Sequence, residues 1–208
     1  SMDKAQSEEE ILAWAQRCEK QTNDAGGLPK NSYCVEYKLD GLTVNLTYDG
    51  GKLVQAATRG NGEIGEVITP NARTFINIPT TIPYKGQLIL RGEAVISYSD
   101  FEKLNDSIAD VDAKYKNPRN LCSGSVRQLN NEVTAKRNVF FFAFALVKAE
   151  GRELENSVES NMLWVQNLGF EIVPYKRVDR ENIIGEIQNF SEKIVENDFP
   201  SDGLVLIY

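Results

Sequence analysis

In the segment VEYKLDGLTVNLTYDGG, residues 35–51, a lysine stands between two carboxylates. Glu36, Lys38 and Asp40 share a parity, so on an extended strand all three side chains leave one face. Three charges on one face of a strand flanked by Val and Leu make either a solvated edge or a reactive site. Taken alone, KLDG more commonly means a surface lysine before an Asp-Gly turn. Four other segments change that balance. TRGNG, residues 58–62, sets Arg59 in a glycine-flanked loop suited to close approach of backbone to phosphate. LRGE, residues 90–93, puts Glu93 late in an apolar strand, where an unpaired carboxylate is costly. NPRNLCSGSVRQL, residues 117–129, carries Arg119 and Arg127 with small residues between them, and SDGLVLIY, residues 201–208, sets Asp202 at the mouth of a final strand. The chain has no histidine. That excludes His-based triads, imidazole acid–base chemistry and His metal ligation, and leaves any catalysis to Lys, Arg, Asp, Glu, Tyr or a thiol.

The elements that must position these residues follow from periodicity and punctuation. Residues 7–20 read as a helix with Ser7 as N-cap, Glu10 at the capping-box position and an apolar stripe of Ile11, Leu12, Trp14, Ala15 and Cys18. Residues 23–31 form a Gly/Pro/Asn-rich loop. A strand is expected to end at Lys38, followed by strands over 42–48 and 52–58 joined at Asp49-Gly50-Gly51. Residues 59–66 read as a glycine-rich loop and 67–76 as a short helix. A strand over 87–96 leads to a helix over 99–107, capped by Ser99 with Glu102 three residues on. A loop and helix occupy 117–130, and 139–147 is a buried strand. A helix over 157–168, a strand near 170–176, a helix over 179–196 and a strand from 204 complete the chain. Strands and helices mix without regular alternation, which predicts an α+β fold of mainly antiparallel sheets flanked by helices.

Composition limits the class. With 208 residues, 41% hydrophobic and 25% charged, the chain is globular rather than disordered. The longest apolar run, residues 139–147, is far short of the about 20 residues a membrane helix needs. No signal peptide opens the sequence, and Ser1-Met2 reads as a tag remnant. A net charge of −7 argues against a stand-alone nucleic-acid binder while leaving room for a local basic groove. Cys18, Cys34 and Cys122 are widely spaced and odd in number, which points to reduced thiols in an intracellular protein.

Taken in order, EYKLDGL, AATRGNGEIGEVITPNARTFINIP, RGEAVISYSDFEKLN, NPRNLCSGSVRQLN and DGLVLIY resemble the motif series of the adenylation (nucleotidyltransferase) domain of bacterial NAD-dependent DNA ligases. The likeness spans nearly the whole chain. The run NPRN-x4-S-x-RQL is specific to the NAD-dependent branch; ATP-dependent ligases and capping enzymes share a K-x-D-G core without it.

The resemblance implies a nucleotidyltransferase (ATP-grasp-like) domain over 1–208, incomplete at its C-terminal end. It implies a lysine amine, Lys38, that attacks the α-phosphate of NAD, releases nicotinamide mononucleotide and holds AMP through a phosphoramide. AMP then passes to the 5′-phosphate of nicked double-stranded DNA, and the 3′-hydroxyl displaces it, the sealing step of replication and repair. Because a lysine near its reference value is almost wholly charged at pH 7, its surroundings must favour the free amine. On the family pattern Asp40 joins Lys38 in catalysis, and Glu36, Leu39, Gly41, Arg59, Glu93, Phe144 and Asp202 line the nucleotide. Within that set Glu36 meets the adenine amino group, Arg59 and Glu93 the ribose and phosphate, and Asp202 the metal and nucleophile side. Phe144 lies where the family has a ring against adenine, which would set the pocket between the sheet bearing residues 36–41 and the strand bearing Phe144. Arg119 and Arg127 face phosphate or nicked DNA.

NAD and Mg²⁺ are the implied cofactors, with zinc confined to modules outside this sequence. A monomer in the bacterial cytoplasm, with no membrane partner, is implied too. The sequence also departs from the family. It lacks the upstream nicotinamide-binding domain, the downstream OB-fold, zinc, helix-hairpin-helix and BRCT modules and the final lysine-bearing motif, and Ile207 stands where a lysine is expected. It therefore reads as a fragment of a larger ligase, expected to form no lysyl-AMP by itself. A divergent non-catalytic nucleotide- or DNA-binding relative and an ATP-dependent nucleotidyltransferase remain open beside it.

Overall fold

The computed structural model describes residues 4–26, 32–60 and 65–208. The expected tag remnant and parts of the loops at 23–31 and 59–66 lie outside the described residues. In chain order the elements are α1 (Glu8–Asp24), β1 (Ser32–Leu39), β2 (Leu42–Asp49), β3 (Lys52–Thr58), α2 (Thr69–Ala72), β4 (Leu88–Val95), α3 (Tyr98–Asp106), α4 (Pro118–Val126), α5 (Asn131–Lys136), β5 (Phe140–Ala149), α6 (Val158–Asn167), β6 (Tyr175–Asp179), α7 (Ile183–Ile194) and β7 (Ser201–Ile207). This is the α+β class that the pattern predicts.

The chain forms two compact units. The larger comprises 38–173 and 197–202 and is built on an antiparallel sheet in the order β3-β2-β4-β5. Strand alternation sorts its residues cleanly. Val44, Leu46, Leu90, Ala94, Phe141, Ala143 and Leu146 are buried in the core, joined there by Leu121 and Val126 of α4 and by Met162 and Val165 of α6. The intervening positions put Thr43 opposite Glu93 and Asn45 opposite Arg91 on the other face. Two motif glycines are demanded by this packing. A Cβ on Gly41 would collide with the Ala94 carbonyl, and one on Gly92 with the Phe141 ring and the Phe142 carbonyl.

The smaller unit comprises 1–37, 174–196 and 203–208. It holds most of the three-stranded sheet β6-β1-β7, in which β1 and β6 are antiparallel. Aromatic rings knit it: Trp14 and Tyr208 each lie against Tyr33, and Tyr37 stacks on Phe190 at a centroid distance of 4.4 Å. Ser7 caps α1 as expected, accepting from Glu10 N–H at 3.2 Å. The Glu10 carboxylate reaches back to Gln6 N–H at 2.7 Å rather than to the N-cap's own N–H.

Four expectations about elements need correction. The cap of α3 is Ser97, not Ser99: Ser97 Oγ accepts from Asp100 N–H at 3.1 Å, while Ser99 bonds the Asp198 carboxylate. The helix expected over 67–76 shrinks to Thr69–Ala72, because Val67 bridges Ala57 and Ile68 N–H bonds the Ala56 carbonyl, which keeps the chain extended along β3. The strand expected near 170–176 lies later, at Tyr175–Asp179. Residues 171 and 173 exchange backbone bonds with Ala143 instead, and Pro174, with no N–H, interrupts the run. Asp179 ends β6 and exchanges side-chain-to-backbone bonds with Asn182, so α7 begins only at Ile183. Helix α5 was not anticipated in the sequence reading.

Candidate active site

Lys38 is the penultimate residue of β1 and the first of the K-x-D-G turn, on the larger unit. Its amine stands 3.6 Å from Asp202 Oδ2, and both side chains are 44% exposed, open enough for a ligand to reach them. Two hydrogen bonds to main-chain carbonyls flank this pairing. Ser201 Oγ donates to the Lys38 carbonyl at 3.0 Å, and Asp40 N–H donates to the Pro200 carbonyl at 2.8 Å, so the entry to β7 is strapped beside the end of β1. Asp40 in turn accepts from Arg119 Nη1 at 3.3 Å. Arg119 is delivered by α4, whose start is set by the Asn117 side chain accepting from Asn120 N–H at 2.7 Å and by Pro118 in the first turn.

Glu93 lies at the next level of the site. Its carboxylate accepts from Thr43 Oγ1 at 2.9 Å. Burial pushes Glu93 up to about 7, against the lowering effects of the Thr43 hydroxyl, Arg119 and Gly41 N–H. The Cys122 thiol of α4 is wholly buried nearby and is raised by that burial. Arg59 is exposed at the end of β3, and its N–H bonds the Thr43 carbonyl at 3.1 Å. Arg127, at the other end of α4, bonds Glu66 Oε2 at 2.9 Å and the Ser123 carbonyl at 3.2 Å. Glu66 is itself tied to Thr58, next to Arg59.

Phe144 is half-buried and has no register partner on β4. Arg91 pairs Ala145 and Gly92 pairs Ala143, so Phe144 is the extra residue of a β-bulge. Bulges of this kind re-aim side chains and are frequent beside active sites. Leu39 and Gly41 are both buried.

The structure thus pairs Lys38 with Asp202 and Asp40 with Arg119, and Thr43 links Glu93 to Arg59. Arg127 is linked to Arg59 through Glu66 and Thr58. Glu36 belongs to the smaller unit, where it sits opposite Tyr175 at 5% exposure. Burial pushes its carboxyl up to about 7. Ile207, also in that unit, ends β7 and is half-buried.

Sequence reasoning passed over Thr43, Asn45, Glu66 and Arg91. The signal was present for the first two: Thr43, Asn45 and Thr47 alternate with Val44, Leu46 and Tyr48, which marks a polar face continuous with Glu93 and Arg91. Arg91 Nε donates to Asn45 Oδ1 at 3.1 Å on that face. Glu66 lay in a loop with no periodicity to place it.

Among the described residues no group of three or more His, Cys, Asp or Glu side chains could hold a metal ion. Mg²⁺ keeps several waters and uses one or two carboxylates together with substrate phosphates, so a protein cage is not what such a site needs. Among the described residues no helix is long and apolar enough to cross a membrane.

A lysine held beside an aspartate, with a second carboxylate and arginines ranged around it, is an arrangement suited to nucleotidyl transfer. The chain belongs to the NAD-dependent DNA ligase adenylation domain family, whose model matches residues 1–207. It is 64% identical over 174 residues to a DNA ligase of Ruminiclostridium cellulolyticum, covering 84% of this chain and 26% of that protein. It is 36% identical over 208 residues to a DNA ligase of Brachyspira hyodysenteriae, covering 99% of this chain and 31% of that one. The chain thus spans about a quarter to a third of the length of these relatives. A solved structure titled "Pmar-Lig_Pre." resembles it with a TM-score of 0.51 at 15% identity, over 89% of this chain and 40% of that one, a likeness of fold alone.

Proposed function

We propose that the chain is the AMP-carrying part of an NAD-dependent DNA ligase and that Lys38 is the carrier. The Lys38–Asp202 pair, held by the straps from Ser201 and Pro200, carries this reading. In the proposed reaction Lys38 Nζ loses a proton and attacks the α-phosphate of NAD. A P–N bond forms, and the P–O bond to nicotinamide mononucleotide breaks as that group leaves. In this reading Asp202, whose Oδ2 lies 3.6 Å from Lys38 Nζ, takes the proton. The AMP passes next to the 5′-phosphate at a nick, restoring the lysine, and the 3′-hydroxyl displaces it to seal the strand.

The other residues take positioning and electrostatic roles. Arg119 neutralises phosphate charge and, through Asp40, is fixed against the K-x-D-G turn. Arg59 reaches the phosphate or ribose from its glycine-flanked loop, and Glu93 accepts a ribose hydroxyl. Phe144, released from the ladder by its bulge, supplies a ring for the base. For Glu36 the proposed role is acceptance from the adenine amino group, which guanine, with a carbonyl at the equivalent edge, cannot offer. Arg127, pinned by Glu66, serves DNA or phosphate. Mg²⁺ would enter with the nucleotide phosphates, with Asp202 as its carboxylate, and would supply charge neutralisation. No charge is assigned to the position of Ile207.

The test is covalent adenylation of a protein of the relatives' length that carries this domain. Incubated with NAD and Mg²⁺, it should gain one AMP on Lys38. It should gain none from ATP alone, since the family match is to the NAD-dependent branch.

A further inference from the structure

Glu93 and Thr43 face each other across the β2–β4 ladder. The Thr43 hydroxyl donates to Glu93 Oε1 at 2.9 Å, while the Thr43 carbonyl accepts from Arg59 N–H at 3.1 Å. One residue therefore touches two of the groups assigned to the nucleotide, one through its side chain and one through its backbone. We propose that Thr43 is a positioning residue for nucleotide binding, its hydroxyl holding the Glu93 carboxylate in the orientation and ionised form that accepts a ribose hydroxyl. The inference rests on the reading of Glu93 as the ribose partner.

The geometry leaves Glu93 few other supports. The groups facing it are Thr43 of β2, Gly41 N–H and Asp40 in the turn after β1, and Arg119 and Cys122 of α4. Of these, Asp40 and the buried surroundings oppose ionisation. Arg119 favours it from an exposed position and divides its charge with Asp40. The Thr43 hydroxyl is the direct side-chain donor, at 2.9 Å. A donor to the charged form stabilises that form, so its removal should raise the carboxyl's titration point and leave more of it protonated at neutral pH. A protonated Glu93 presents its own hydrogen to the space where a ribose hydroxyl must donate. Thr43→Val keeps shape and strand preference while deleting the donor; Thr43→Ser keeps the donor while deleting a methyl group.

The experiment follows the Glu93 side-chain carboxyl by carbon-13 NMR across pH and measures AMP binding by NMR titration, in the unaltered chain and in Thr43→Val, Thr43→Ser and Glu93→Gln. Thr43→Val should move the Glu93 titration upward and weaken AMP binding at pH 7 by about 3- to 10-fold, the range expected for one ordinary hydrogen bond. The loss should shrink as pH is raised, and Thr43→Ser should restore both readouts. A Glu93 titration and an AMP affinity unchanged in Thr43→Val, beside a loss in Glu93→Gln, would overturn this inference alone. Equal losses in Thr43→Ser and Thr43→Val would also overturn it. An AMP affinity unchanged in Glu93→Gln, or no AMP binding by the unaltered chain, would overturn the ribose assignment and this inference with it.

Discussion

Glu36 carries the clearest cost of any single residue. At 5% exposure its carboxyl is pushed up to about 7 by burial, from an ordinary value of 4.5. A carboxyl whose titration point is higher in the folded than in the unfolded chain binds more protons when folded. Stability therefore falls as pH rises through the window from 4.5 to about 7, and the cost is fully present above it. Glu36→Gln removes the charge and keeps the shape. It should stabilise the chain by about 2–3 kcal/mol at pH 8 and by little below pH 4.5, as read by denaturant unfolding at the two pH values. A stabilisation independent of pH would show that burial of charge is not the cause. Retaining such a carboxylate makes sense if a ligand's donor meets it. Glu36→Gln should accordingly reduce the preference for AMP over GMP in a binding titration, at the same time as it stabilises the fold.

At the scale of elements, the site depends on turns and helix ends that bring residues distant in sequence to Lys38. Gly41 lets β2 approach the Ala94 carbonyl of β4. Gly41→Ala should cost about 1–3 kcal/mol by forcing the strands apart, measured as a lower unfolding midpoint with the denaturant slope unchanged. Asn117→Ala, which removes the cap of α4, should cost about 1 kcal/mol and also weaken AMP binding, since the same helix delivers Arg119. Equal affinity in Asn117→Ala and the unaltered chain would detach α4 from the site. Most elements were legible because hydrophobic alternation and caps are local signals: β2, β3, β4, α1 and α6 lie within two residues of their expected bounds or extend a few residues further. What was not legible depended on partners far along the chain. Ser97 and Ser99 both precede a carboxylate by three residues, and only Asp198, which occupies Ser99, decides between them. Residues 171–173 have strand-like character, yet their bonds run to Ala143, and β6 starts only beyond Pro174. The candidate site was read from motif order, which pointed to Lys38, Asp40, Glu93, Arg119 and Asp202 but not to the Thr43 hydroxyl that links two strands.

At the scale of the whole molecule, charge sets what the chain can do by itself. Its net charge is −7, and Arg119 and Arg127 are engaged with Asp40 and Glu66. Affinity for duplex DNA rests on phosphate neutralisation and counterion release. The chain should bind a nicked duplex no more tightly than about 10⁻⁵ M at physiological salt, the weak part of the non-specific range, by fluorescence anisotropy. Sub-micromolar binding would mean that a basic groove outweighs the acidic surface. In the proposed reaction a half-exposed lysine, strapped beside Asp202, becomes covalently loaded with AMP. The most direct measurement is intact-protein mass spectrometry with peptide mapping, on a protein of the relatives' length that carries this domain, after incubation with NAD and Mg²⁺. One added AMP should map to Lys38. It should vanish in Lys38→Ala and equally in Lys38→Arg, because a guanidinium stays protonated and cannot attack. An AMP adduct that persists in either variant, or that maps to another residue, would contradict the account.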